Sequence, residues 1–434
     1  MKAALVLSLA GLYFFSFIQR VGIPGSIFND LQSEMNLDAA AVTRLGAIYL
    51  FVYACMQPFV GLLADRFGGS RVALASGVLL VAGATMFPVS HGIEGLYFSR
   101  ALVGLGGSAM FLCMFKEASR WFSGRHFTVI VGSLSLIGYC GGLAGTSPFR
   151  MLADRDGWRS ACLVLAAGTA LFLVLTGWLS WRIGHAASPV RIGKPWRNTV
   201  DVLTNRLNFP VLVAFSLSSS VSLCLQMTIG QKFIADFCGI TALEASKLTF
   251  AMMLFTLATL PVCGVVSKRF RNLRKPFLIF MAAAAVAGTA LILVGIHWVM
   301  PPWFFLCALI PMAIGSGSTP VILSMMREQN HPQAVATSVG LLNASVYLMI
   351  ALTTQVSGRV LEAFHSEAVI TRASTVYPPA AYGLLFAILL AIATISLIAS
   401  LFSRETHGHI SPLAKGLNPH RVCKEAESSP CLLE

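Results

Sequence analysis

Gly61-Leu-Leu-Ala-Asp-Arg-Phe-Gly-Gly-Ser-Arg71 is a short polar turn with a long apolar run on either side. It places an acid, two arginines and three glycines between segments that want to leave water. A soluble core would expel that much charge. A membrane protein accommodates it, because the turn lies in water or among headgroups while its neighbours lie in hydrocarbon. The rest of the chain agrees. Its 434 residues are 56% hydrophobic and 11% charged, with a mean hydropathy of +0.75. Ordinary soluble domains carry about 25% charged residues, and a soluble protein this apolar would expose large sticky patches. Crossing ~30 Å of hydrocarbon takes about 20 helical residues. The runs are rich in Leu, Ala, Val and Gly without strict alternation, which favours helices over transmembrane barrel strands.

Working outward from the turn, twelve spans are expected, at 4–25, 44–64, 72–90, 95–116, 127–149, 158–181, 208–230, 243–266, 276–296, 302–325, 335–357 and 379–402. The first carries no small-residue cleavage site behind it and reads as a spanning helix rather than a signal peptide. Most of the 31 Lys and Arg fall in the connections on the side that holds both termini. Translocating basic loops is unfavourable, so both termini are expected to be cytoplasmic. The same asymmetry explains the net charge of +13 without nucleic acid, because basic faces meet anionic lipid heads. A polar stretch at 182–207, with a short amphipathic helix around 198–207, separates residues 1–181 from 208–402. Residues 403–434 read as a disordered cytoplasmic tail. The ten Cys are scattered, without disulfide or zinc spacing.

The quoted turn resembles the loop signature of the major facilitator superfamily, G-x-x-x-D-R-x-G-x-R-[RK]. Gly61, Asp65, Arg66 and Gly68 fall in place; Arg71 comes one residue late and Val72 follows it. The resemblance implies an all-α membrane protein of twelve helices in two six-helix bundles, working as a monomer. Substrate would bind between the bundles near the midplane. It also implies that Asp65 bonds to a helix N-terminus in the other half and to nearby arginines, latching the outward-open state. Arg100, in Arg-Ala-Leu-Val-Gly-Leu-Gly, resembles a second signature of the superfamily; the resemblance implies a structural role or one coupled to proton transfer, and Arg100 is grouped with Arg120 in the latch. The repeat of the turn in the second half, near Gly264, carries Lys268 where the acid would stand.

Candidate binding residues follow from polarity at depth. Arg20 lies ~25 Å along a helix that begins near Ala4. An arginine there costs several kcal/mol unless it faces water, a carboxylate or a ligand. It either snorkels to the far headgroups or contacts an anionic solute. Tyr13, seven residues earlier, shares its face. This helix resembles the first helix of the anion:cation symporter and organophosphate antiporter branches, a resemblance continued by Tyr53 and Gln57. Gln226 in the seventh span, and Asn343 with Tyr347 one turn apart in the eleventh, complete the candidate cavity lining. Lys232 reads as a solvated loop residue. The glycines of the fifth span, Gly138, Gly141, Gly142 and Gly145, read as a close-packing face against the eighth span.

None of the 18 Asp and Glu is expected deep in a span, which leaves Arg20 uncompensated and favours an anionic ligand. No H-E-x-x-H, G-x-S-x-G, Walker A or Rossmann glycine loop appears, so neither an enzyme nor a cofactor or metal is expected. The sequence therefore points to a secondary carrier of a small solute, an organic anion above all, in a cell inner membrane. A proton or a counter-anion is the expected coupling species. A proton-coupled sugar or drug carrier and a transporter-like solute receptor are the alternatives.

Overall fold

The computed structural model describes residues 1–121, 127–183, 200, 202–330, 335–370 and 375–409. It is almost wholly helical. The first half comprises α1 (Lys2–Gly22), α2 (Phe28–Met35), α3 (Ala39–Phe67), α4 (Gly69–Val89), α5 (Ile93–Gly107), α6 (Met110–Trp121), α7 (Phe127–Ala144), α8 (Ser147–Asp156) and α9 (Trp158–Ile183). The second comprises α10 (Asn208–Cys224), α11 (Gly230–Cys238), α12 (Ala242–Arg269), α13 (Lys275–His297), α14 (Pro302–Ser316), α15 (Thr319–Glu328), α16 (Val335–Ala363) and α17 (Pro379–Leu401). A two-residue β-hairpin, Val369–Ile370 with Thr375–Val376, lies before α17. Eleven helical stretches among the described residues are long and apolar enough to cross a membrane. The 18 residues of α7 occupy the expected fifth span. The chain is a multi-pass membrane protein.

The two halves share their irregularities. The fourth span breaks between α5 and α6 at Ser108–Ala109, and the tenth breaks between α14 and α15 at Gly317–Ser318. The seventh span passes through a π-turn at Leu225–Ile229, a rare geometry that gathers at functional sites. α1 and the α10–α11 stretch are the most buried of the long helices, and so form the axis of the molecule. Their neighbours instead show lipid a belt of side chains such as Leu171, Val174, Trp178 and Val265.

Small residues let this axis close. A Cβ on Gly25, just past α1, would strike the Met227 carbonyl in the π-turn of the other half. Gly138 and Gly141 lie against Tyr13 and Phe14 of α1, while Gly142 meets Met253 of α12. The fifth-span glycines therefore pack chiefly on the first span, with only Gly142 on the expected eighth.

Several expectations need correction. The seventh span does not end near 230 but continues helical to Cys238, so Lys232 lies in α11 and is 1% exposed. Asp236 on the same helix is an acid whose side chain is 2% exposed, paired with Lys232 at 2.8 Å. Glu117 near the end of the fourth span is also buried. The first part of the tail is ordered, because Glu405 accepts hydrogen bonds from the backbone N–H of Arg274 and Lys275 at 2.8 and 2.9 Å. Those donors open α13, where a carboxylate meets unpaired N–H groups and the positive end of the helix dipole. Of the expected short helix at 198–207, residues 200 and 202–204 are helical and 205–207 are not, while 198, 199 and 201 lie outside the described residues, as does the tail beyond 409.

Candidate solute site

Arg20 sits on the last turn of α1, is 4% exposed, and does not snorkel. Its Nη1 donates to the hydroxyl of Tyr347 on α16, in the opposite half of the molecule. The guanidinium carbon lies 3.8 Å from the ring centre of Phe17, 5.5 Å from that of Tyr53 and 5.4 Å from that of Tyr347. Tyr53 and Tyr347 themselves meet at 4.4 Å between centroids. Tyr13 and Tyr49 are the other hydroxyls whose field the guanidinium feels, and Tyr139 of α7 stacks on Phe17 at 5.4 Å.

Three aromatic faces around a desolvated guanidinium contribute about 1–2 kcal/mol each. That offsets an insertion cost of ~3 kcal/mol for an arginine at depth. The cage neutralises no charge, however. Among the described residues no carboxylate lies within ion-pair distance of Arg20, and its Nε has no hydrogen-bond partner. A buried donor left open is expensive. What remains is a positive group whose Nε–H is unsatisfied, at the junction of the two halves.

The other candidates divide. Tyr13, Tyr53 and Tyr347 join Arg20. Gln57 turns away and donates to the Ser108 carbonyl at 3.3 Å, in the break between α5 and α6. Gln226 lies in the π-turn with its Nε2 3.0 Å from Met253 Sδ. Asn343 is half-buried one turn before Tyr347 on α16. Phe17, Tyr49 and Tyr139 were not singled out from the sequence. Tyr49 stands four residues before Tyr53 and Phe17 three before Arg20, so helical spacing carried the signal for both.

The polar turn is built at the other end of α3. Gly68 takes φ +88°, where side chains are strained, and lets α4 start at once. The new N-terminus is met by Glu117, whose Oε1 accepts from Ser70 N–H at 2.9 Å and whose Oε2 accepts from Trp121 Nε1 at 3.2 Å. Arg120 lies 3.9 Å from the same carboxylate and stacks on Trp121. Gly61 is loosely packed, and Arg66 and Arg71 are exposed, Arg66 stacking on Phe67. The side chain of Asp65 is outside the described residues.

Arg100 belongs elsewhere. It donates to the carbonyls of Gln19, Ile23 and Leu45 at 3.1, 2.9 and 3.4 Å, with its guanidinium over Tyr49. Leu45 is sixteen residues from Gly61 on one helix, or about 24 Å. Arg100 thus pins the end of α1 to α3 within the first half. In the second half, Arg274 pairs with Glu328 at 2.9 Å, which mirrors Glu117 at the end of the broken span.

Beyond the Arg20–Tyr347 bond, side-chain hydrogen bonds between the halves gather, among the described residues, near the face opposite the termini. Ser26 Oγ accepts from Gln231 Nε2 at 3.1 Å, Gln32 Nε2 donates to the Tyr377 hydroxyl at 3.4 Å, and the Ser147 and Ser246 hydroxyls lie 3.0 Å apart. These bonds tie the two halves together at that face.

Comparison with known proteins points one way. The sequence model of the Major Facilitator Superfamily matches residues 9–354. Human monocarboxylate transporter 7 is 28% identical over 141 residues, 32% of this chain and 27% of that protein. The multidrug resistance protein MdtH of Enterobacter sp. (strain 638) is 30% identical over 155 residues, 33% of this chain and 36% of its own. The probable sulfoacetate transporter SauU of Cupriavidus necator is 24% identical over 157 residues, 36% of each. These alignments thus span about a third of each relative's length or less. A crystal structure of a mutant nucleoside transporter NupG superposes with a TM-score of 0.72 over 92% of this chain and 99% of that one, at 14% identity.

Proposed function

This chain belongs to the major facilitator superfamily, and from that premise we propose that it carries a small organic anion across the membrane by alternating access. The observation that carries the reading is Arg20: buried at the junction of the halves, caged by aromatic rings, with Nε unsatisfied and, among the described residues, no carboxylate to neutralise it. A carboxylate or sulfonate supplies both the missing charge and the missing acceptor, in the fork geometry that guanidinium matches best. Similarity to a monocarboxylate transporter and to a probable sulfoacetate transporter supports that class. So does the resemblance of α1 to the anion:cation symporter and organophosphate antiporter branches.

Tyr347 holds the place of the anion. Its hydroxyl engages the guanidinium from the opposite half. An arriving carboxylate competes for that donor and releases α1 from α16. Solute binding thereby weakens a tie between the halves, which is what alternating access needs. Arg20, Tyr13, Tyr53 and Tyr347 are the proposed solute contacts, with Gln226 and Asn343 on the surrounding wall. Gly61, Asp65, Arg66, Gly68, Arg71 and Arg120, with Glu117, form the proposed latch at the terminus side. The proposed setting is a cell inner membrane with both termini cytoplasmic.

Multidrug relatives raise a second reading, a cationic drug held by the aromatic rings. Arg20 already occupies those faces and would repel a cation, so the anion is favoured. Thermal-shift screening of the purified protein against carboxylates, phosphate esters, sugars and cationic drugs, repeated with Arg20→Gln, tests the choice. A neutral or cationic hit indifferent to Arg20 rejects it.

A further inference from the structure

The surroundings of Arg20 constrain the solute beyond its being an anion. Among the described residues, four cationic side chains are buried: Arg20, Arg100, Arg150 and Lys232. Arg150 pairs with Asp30 and Asp154, and Lys232 with Asp236. Arg100 donates to the carbonyls of Gln19, Ile23 and Leu45. The first two close α1, at the negative end of its dipole. Arg20 is therefore the buried cation left to be met by a ligand. One anionic group neutralises it. A second would be stripped of water with no cation to receive it, which is strongly unfavourable.

The rest of the solute meets rings. Tyr13 touches Phe17 and Phe111, with centroids 5.7 and 5.3 Å away, and Phe17 touches Tyr139 at 5.4 Å. Tyr53 and Tyr347 form a second group, and the Arg20 guanidinium joins the two. The planes of these pairs cross at 43° to 76°, so none closes into a parallel stack. Tyr13, Phe17 and Tyr53 are buried, whereas Phe111, Tyr139 and Tyr347 keep part of their surface uncovered. The open side of the cage is thus aromatic in both halves. Gln57 and Gln226 direct their amide donors elsewhere, to the Ser108 carbonyl and Met253 Sδ, so a polyhydroxylated solute gains little from them.

Tilted rings around a guanidinium suit one more ring. An aromatic solute turns a negative face to the positive edges of its neighbours and to the guanidinium. A saturated ring of the same size has no such face. Among the described residues, Tyr53–Tyr347 is the ring pair of the cage that spans the two halves, and both rings lie about equally far from the guanidinium carbon.

We propose that the solute is an aromatic monocarboxylate, with its one carboxylate on Arg20 and its ring seated between Tyr53 and Tyr347. The proposal rests on the anion reading of Arg20 and narrows it. Tyr347 then acts twice: its hydroxyl yields Arg20 Nη1 to the carboxylate, and its ring closes on the solute. A direct tie between α1 and α16 becomes a bridge through the cargo. Isothermal titration of the purified full-length protein with benzoate, cyclohexanecarboxylate and terephthalate tests this, above about pH 7, where all three are ionised. The first two share charge and approximate size and differ in the π-system. Terephthalate adds a second charge to the same ring.

Benzoate is expected to bind about fivefold tighter than cyclohexanecarboxylate, the worth of one aromatic contact beyond its area. Terephthalate is expected to bind about 100-fold more weakly than benzoate. Tyr347→Leu should erase the preference for benzoate over its saturated analogue. Tyr347→Phe, which keeps the ring, should retain it, and Arg20→Gln should weaken all three acids. Equal affinity for benzoate and cyclohexanecarboxylate overturns the proposal, as does a preference that survives Tyr347→Leu or terephthalate bound as tightly as benzoate. With Arg20 still required, each of these leaves the anion reading standing. So does failure of all three acids beside another anion that binds through Arg20, which also overturns the aromatic class. Binding of these acids that is indifferent to Arg20→Gln removes the anion reading as well.

Discussion

Replacing Arg20 by Gln keeps a polar side chain of similar reach but removes the charge and the forked donor. In the structure the guanidinium is 4% exposed and has a free Nε, so an anion would meet it out of water. Truncating one partner of such a desolvated pair costs about 2–5 kcal/mol. Taking ~2.7 kcal/mol, the lower part of that range, Kd rises about 100-fold. The consequence for a melting experiment follows by mass action. Anion at about 100 times the wild-type Kd stabilises the protein by ~2.7 kcal/mol; at the same concentration the variant gains only ~0.4 kcal/mol. A differential scanning measurement in detergent, with a panel of short monocarboxylates and sulfoacetate, reads the two directly. The variant should lose the anion-induced shift and still melt cooperatively. An anion that shifts both proteins equally would refute the argument, because its binding would then owe nothing to the caged guanidinium.

Tyr347→Phe removes the hydroxyl that competes with the anion while leaving the ring. It should lower the melting temperature without ligand and leave anion affinity equal or tighter, which isothermal titration checks. Arg100→Met strands the carbonyls of Gln19, Ile23 and Leu45; at about 1–3 kcal/mol for each buried group left unpaired, its thermal stability should fall sharply, with or without anion. Truncation after Phe402 removes Glu405 from the start of α13 and should destabilise the protein, whereas truncation after His409 should not. Burial opposes ionisation of Glu405, but backbone N–H groups of Arg274, His407, Lys275 and Thr406 outweigh it and hold its carboxyl below the usual range. A depressed folded value means stability present above the ordinary carboxylate pKa and lost as pH falls through the lowered one. The melting-temperature gap between the Phe402 truncation and the intact chain should therefore close on acidification below about pH 4.

Much of this architecture was legible because hydropathy and charge asymmetry are written locally. The Gly61–Arg71 turn gave the family, and the depth of Arg20 marked it as a residue in need of a partner. Its partner was not legible in the same way. Tyr347 lies 327 positions away and was only one of several polar residues in its span. Lys232 was misplaced because Gln231, Lys232 and Asp236 lower the hydropathy just where a span should end. Tertiary packing overrides that cue, since Lys232 and Asp236 cancel each other and Phe233 packs on Phe305, Tyr382 and Phe386 beside them. The tail misled for the related reason that a polar segment reads as solvated until a helix N-terminus is found for its carboxylate. Glu405 finds one on α13, where the repeat of the turn has Lys268 instead of an acid.

Counterflow in proteoliposomes reaches the central claim most directly. Vesicles loaded with unlabelled anion, the one giving the largest thermal shift, are diluted into a trace of the same anion with label. An alternating-access carrier should concentrate the label transiently inside, and Arg20→Gln should abolish the overshoot. Binding of that anion with no overshoot in the wild-type protein would contradict the account and leave a solute receptor built on a carrier fold.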